Sequence, residues 1–196
     1  ILKSEKYKKV ICGFPGTTNA FQLAIELVCS FLVKIENKNN EDLKVSKMFY
    51  DTFLAIKNDF VGNLLLLPEI TKENYQIIFT GHSLGGALAT IASFHCINQK
   101  IIKSEPILIT FGQPRVGNEL FARYLTKNLK QIYRIARPKD LVTLIPLNGI
   151  SSKKFRDFML SKIDSLDEIL KKQLHPIGYA LYYISTQQMK LLLKSL

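Results

Sequence analysis

The sequence predicts an α/β fold, with a mainly parallel sheet and helices on both faces. Short apolar runs alternate with longer segments of helical period, the pattern of successive βαβ units. The pentapeptide Gly81-His82-Ser83-Leu84-Gly85 stands between one such run and one such segment. A length of 196 residues and a hydrophobic content of 47% suit one domain, residues 1–196, with a sizeable core.

Val10-Ile11-Cys12-Gly13-Phe14 reads as a buried strand that stops at Pro15-Gly16. Phe21, Ala24, Ile25, Val28, Phe31 and Leu32 then recur at helical spacing, which predicts a helix over 21–33. Leu23, Leu27 and Val33 add apolar character on its other sides. Glu36 to Glu41 is a polar loop. Val45, Phe49, Phe53 and Ile56 predict a helix over 45–65. Residues 75–80 read as a strand, and the Ala-rich stretch 84–99 reads as a helix. Residues 107–111 are a strand, and Asn118 is placed to cap a helix that runs to Lys130. A strand over 132–136 is closed by Pro138, and 153–173 is a charged amphipathic helix. No internal repeat is visible.

Lysine and arginine number 27 against 16 acids, a formal charge of +11. The lysines are scattered as pairs (Lys8-Lys9, Lys153-Lys154, Lys171-Lys172), with no arginine cluster and no aromatic RNA-binding signature. That reads as a solvated basic surface or as one drawn to an acidic partner such as anionic lipid, and nucleic acid is not expected as a partner. No apolar run reaches bilayer-spanning length, and no signal peptide can be read from Ile1 onward. Cys12, Cys29 and Cys96 are odd in number and lack metal-ligand spacing. Cys12 and Cys96 lie in apolar runs and read as small buried hydrophobes, and no metal or organic cofactor is expected.

Gly81-His82-Ser83-Leu84-Gly85 has the form of a nucleophile elbow, a sharp turn that lifts a serine hydroxyl above the sheet between a strand and a helix. Residues two before and two after the serine pass close to neighbouring backbone, and glycine at both places avoids the clash. Gly86, Ala87 and Ala89 let the following helix lie close to the sheet.

An activated serine needs a general base, and histidine is the usual one. The chain has three. His82 adjoins the serine and cannot easily turn back across a tight elbow. His95 lies roughly 18 Å up the helix at 1.5 Å per residue. His175 remains, in the loop-like Gln173-Leu174-His175-Pro176. The histidine needs an orienting carboxylate, which in this fold lies between serine and histidine in the chain. Asp157, Asp164, Asp167 and Glu168 sit on a solvated helix face. Glu119 opens a helix, where an acid suits the dipole. Glu105 precedes a strand, at the wrong end of the sheet. Asp140 follows a strand at its carboxyl end, the edge where Ser83 also emerges, and is the candidate acid.

These residues resemble the fungal-type, or class 3, lipase family of the α/β-hydrolase superfamily. The resemblance runs from Val10 to about Tyr183. It rests on residues 81–89, on Thr110-Phe111-Gly112-Gln113-Pro114-Arg115-Val116-Gly117-Asn118, on Tyr133-Arg134-Ile135-Ala136 with Asp140, and on His175. It implies the same triad, Ser83, Asp140 and His175. It also implies an oxyanion hole at Thr17, which follows Phe14-Pro15-Gly16 where the family has Phe-Arg-Gly, with the Leu84 N–H as second donor. The family's arginine is Pro15 here, Thr143 stands where a proline commonly follows the acid, and Tyr179 stands where an acid commonly follows the histidine. The family also carries a longer segment before this first strand, so an N-terminally shortened α/β-hydrolase is expected.

The resemblance further implies hydrolysis of lipid carboxylic esters through an acyl-enzyme, with a lipid or ester substrate, a lipid–water interface or anionic membrane surface as partner, and a secreted protein. Phospholipase A1 or soluble-ester esterase activity keeps the chemistry and changes the substrate. A non-catalytic lipid-binding domain is the alternative of another class. The helix over 21–33 stands where similar lipases place a mobile lid, and an ordinary core helix is its other reading.

Overall fold

The computed structural model describes residues 1–17, 31–38, 40–72, 74–137 and 140–144. All lie in Ile1–Pro146, one of two compact units into which the chain divides, the other being Leu147–Leu196. The expected helix over 153–173, Cys29, Pro138, His175 and Tyr179 fall outside the described residues.

The main sheet has the order β1-β2-β5-β6-β7. It consists of β1 (Leu2–Ser4), β2 (Lys9–Phe14), β5 (Gln76–His82), β6 (Ile107–Phe111) and β7 (Gln131–Ile135). β1 is antiparallel to β2, and the other pairs are parallel. Helices α1 (Lys47–Leu65), α2 (Leu84–Asn98) and α3 (Glu119–Asn128) connect them. A small antiparallel pair, β3 (Leu32–Lys34) with β4 (Lys44–Ser46), precedes α1.

Strand periodicity sorts the core. Val10, Cys12, Phe14, Ile77, Phe79, Leu108 and Thr110 all point to one buried face. The parallel register aligns Cys12, Phe79 and Leu108 in one row across three strands. Phe60 of α1 packs against Phe14 and Phe79 on that face, with ring centroids 5.2 and 6.4 Å apart. The other face carries Ile11, Ile78, Ile107 and Ile109, all half-buried. β7, the last strand of this sheet among the described residues, is exposed along its whole length.

Helix α2 is buried nearly all round, which accounts for its lack of a polar face. Its polar side chains are paired internally. Thr90 Oγ1 donates to Gly86 O and Ser93 Oγ to Thr90 O, while Asn98 accepts from Lys38 N and donates to Glu36 O. Cys12 and Cys96 are free thiols buried in this core, and burial pushes the Cys12 pKa up to about 12.

Two expected elements are revised. Val45 and Ser46, the first two residues of the helix expected over 45–65, belong to strand β4 instead. Val45 is fully buried between β3 and an isolated bridge to Gly117, and Ser46 N donates to Val116 O. Leu32 and Val33, expected at the end of the helix over 21–33, belong instead to β3, opposite Ser46 and Val45. In both places long-range strand pairing overrides a local 3.6-residue spacing that β-branched Val33 and Val45 did little to enforce. The other expected elements among the described residues keep their places, with ends shifted by no more than two residues. Residues 21–30 fall outside the described residues.

Candidate functional site

Ser83 occupies the turn between β5 and α2 with φ 54° and ψ −121°. For a residue with a Cβ this conformation costs about 1–3 kcal/mol and persists only when its surroundings enforce it. They do: Ser83 N donates to Phe111 O at 2.9 Å, and Ser83 O accepts from Gly86 N at 3.0 Å. The residue is 4% exposed, and its Oγ has no hydrogen-bond partner among the described residues. A buried hydroxyl held without a partner on a strained turn is what a nucleophile awaiting its base requires.

The flanking glycines are explained by what surrounds them. A Cβ on Gly81 would stand 2.3 Å from the Gly85 carbonyl. One on Gly85 would stand 2.2 Å from Phe14 O and 2.7 Å from Pro15 O. One on Gly16 would stand 2.7 Å from His82 O. The loop after β2 therefore presses directly on the elbow and on the first turn of α2. This brings Thr17, half-buried, into the chain immediately beyond that contact. Leu84 opens α2, and its N–H is among the first four of the helix, which have no intrahelical acceptor. The dipole of α2 adds positive potential at the same place.

Asp140 lies beyond β7 at the carboxyl edge of the sheet, and its Oδ1 accepts from Val142 N at 3.1 Å. Its backbone carbonyl accepts from Thr143 N and Thr143 Oγ1 at 3.2 and 2.7 Å. Arg134 of β7 ties this turn to the loop after β6, donating to Thr143 O at 2.7 Å and Gln113 O at 2.6 Å. Burial, and then the charge of Arg115, lower the Arg134 pKa, while Asp140 pulls it back up. Sequence reasoning passed over Arg134, although a charge inside the apolar run Tyr133–Ala136 was its signal. It also gave Thr143 no role beyond a departure from the family pattern.

Gly112, at φ 55°, separates the acid from the elbow. A cavity of about 720 Å³ opens there, lined by His82, Phe111, Gly112, Arg137 and Asp140 among others. The structure thus brings Ser83, Leu84, the Phe14–Thr17 loop and Asp140 to one edge of the sheet. His95 stands apart, half-buried against Phe53 with ring centroids 5.6 Å apart. Glu119 pairs with Arg123 on the exposed face of α3, and Glu105 accepts a side-chain hydrogen bond through its backbone carbonyl at the opposite edge of the sheet. His82, set aside as a base, lines the same cavity as Asp140. Among the described residues no group of His, Cys, Asp and Glu is placed to hold a metal ion.

Residues 11–149 match the family model described as lipase (class 3). A lipase of Rhizopus niveus is 31% identical over 150 residues, covering 74% of this chain and 37% of the relative. Two solved structures superpose with TM-scores of 0.62, each over 74% of this chain and 54% of its own. One is a fungal lipase–inhibitor complex that gave a model for interfacial activation, at 26% identity. The other is a triacylglycerol lipase whose catalytic centre is formed by a serine-protease triad, at 27% identity. The chain thus spans little more than a third of the length of the curated Rhizopus relative.

Proposed function

The chain belongs to the class 3 lipase family, and on that premise we propose that it hydrolyses the carboxylic esters of lipids through an acyl-enzyme formed on Ser83. The observation that carries this reading is the conformation of Ser83 itself: positive φ, near-complete burial and a hydroxyl without a partner among the described residues. The relative with a serine-protease triad, a triacylglycerol lipase, supports the same chemistry.

In this proposal Ser83 Oγ attacks the ester carbonyl. His175 accepts the serine proton and passes it to the leaving alkoxide, and the C–O bond of the ester breaks. Water then attacks the acyl-enzyme, again through His175, and releases the carboxylic acid and free Ser83. Asp140 orients the imidazole and stabilises its charged form. Thr17 and the Leu84 N–H hold the oxyanion, helped by the N-terminal end of α2. The partner is a lipid–water interface, and the charge of +11 favours one that carries anionic lipid.

The test is a fluorophosphonate probe, which phosphonylates an activated serine. Wild-type protein is expected to be labelled at Ser83 and to hydrolyse p-nitrophenyl esters, and Ser83→Ala to lose both. Triads of this kind lose about 10⁶ in kcat on such a change. Wild-type protein that stays unlabelled, or a Ser83→Ala variant with full esterase activity, would sink the reading.

A further inference from the structure

We propose that His82 is a positioning residue for the Asp140 carboxylate, joining the acid loop to the oxyanion loop across Gly112. The inference rests on the reading of Ser83 and Asp140 as nucleophile and acid, and it gives the neighbour of the nucleophile a task that reading leaves open.

The geometry is set by two glycines. The His82 ring lies between the loop after β2 and the loop after β6. Its Nδ1 is 3.6 Å from the place a Cβ would take on Gly16, and its Nε2 is 3.3 Å from the corresponding place on Gly112. Asp140 Oδ2 is also 3.3 Å from that second point. The imidazole nitrogen and the carboxylate oxygen therefore face the same small space, separated by no more than twice that distance. A gap within that range is spanned by one bridging water, or, where side-chain rotation shortens it, by a direct hydrogen bond. Gly112 keeps the space open, since any side chain there would intrude between the two groups.

The chemistry explains why this matters. Among the described residues the Asp140 carboxylate accepts a hydrogen bond at Oδ1, from Val142 N. A carboxylate held by one oxygen still turns about its Cβ–Cγ bond, and the orientation it imposes on a catalytic imidazole turns with it. A donor from His82 at Oδ2 fixes the carboxylate plane with a charge-assisted hydrogen bond. Carboxylate oxygens accept more than one hydrogen bond, so this leaves capacity for the base. His82 itself does not act as base, because its ring is directed at Gly16 and Gly112. The side chain is exposed, so fold stability gives little reason for an imidazole at this position.

The test compares His82→Ala, His82→Gln and each change combined with Asp140→Asn, measured in the full chain on a soluble p-nitrophenyl ester. His82→Ala should lower kcat about 10-fold with KM unchanged, the scale on which outer-shell partners act. His82→Gln keeps a donor and should recover most of the loss. In the Asp140→Asn background His82→Ala should add nothing, as expected of two groups acting as one unit. A wild-type kcat in His82→Ala, a His82→Gln no better than alanine, or an undiminished effect in Asp140→Asn would overturn the proposal. A second readout does not need catalysis. In the Ser83→Ala protein the ring ¹⁵N shifts of His82 should move on Asp140→Asn, and unchanged shifts would also overturn it. Failure of the underlying reading looks different: wild-type protein that fluorophosphonate does not label.

Discussion

Gly85 shows how much of the site is decided by single atoms. Phe14 O stands 2.2 Å from where its Cβ would be, so an alanine there must push the oxyanion loop away from the elbow. Gly85→Ala is expected to lower kcat by about 10² or more, the cost of losing one oxyanion donor, and to slow fluorophosphonate labelling in parallel. Gly62, exposed in α1 with nothing within 4 Å of its Cβ position, is the control. Gly62→Ala should leave activity unchanged and raise stability by about 0.5–1 kcal/mol in denaturant titration. Equal effects of the two changes would show that the close approach at Gly85 has no consequence. The strained turn at Ser83 was legible in the sequence because its glycines serve a local turn. The backbone partners of Arg134 and the place of His82 beside Gly112 and Asp140 were not, because those groups come from other loops.

At the scale of elements, α3 and β4 depend on one side chain. Asn118 Oδ1 accepts from Phe121 N and Lys44 N, and its Nδ2 donates to Asp42 O. The sequence marked Asn118 as a helix cap, and the structure adds that the same amide holds a strand more than 70 positions earlier in the chain. Asn118→Ala should cost about 2 kcal/mol, the upper end for a cap, read as a lower urea midpoint at constant m. Asn118→Asp keeps the acceptor and should lose less. A change within ±0.5 kcal/mol for alanine would mean that neither element relies on the cap. Strand alternation and the elbow were legible because they repeat at short range. The β3–β4 pair was hidden because its hydrogen bonds go to segments that a local spacing does not see.

The packing of α1 on α2 carries a pH dependence. His95 lies half-buried on Phe53, and burial, then the charge of Lys57, depress its pKa. Glu36 and Tyr50 line the same cavity of about 140 Å³. The folded state thus disfavours the charged imidazole, while an unfolded histidine titrates near ~6.5. The unfolded chain binds the proton first, so stability contributed by neutral His95 is present above that pH and is lost as pH falls below it. Thermal midpoints should hold steady from about pH 8 to 7 and decline through ~6.5, and His95→Gln should flatten that decline. An identical decline in the variant would place the acid sensitivity elsewhere.

For the whole molecule, the proposed lipid-ester hydrolysis requires a buried, strained serine to meet a substrate that lies in another phase. The segment between Thr17 of the oxyanion loop and Phe31 carries Phe21, Leu23, Ala24, Ile25, Leu27 and Val28, and it joins the site directly to β3. If this apolar segment acts as a lid over the proposed site, a lipid surface that takes up its side chains will open that site. The charge of +11 adds attraction to an anionic surface that falls off within about 8 Å at physiological ionic strength. Two measurements follow from this. Hydrolysis of a short-chain ester should jump as its concentration passes solubility, and detergent micelles should speed labelling of Ser83. Binding to vesicles with anionic headgroups should exceed binding to zwitterionic ones and should weaken as salt is raised. Smooth saturation through the solubility limit, with labelling unchanged by micelles, would leave the segment as ordinary core. Salt-independent binding to both kinds of vesicle would assign the attraction to apolar contact alone, with the basic surface serving only solvation.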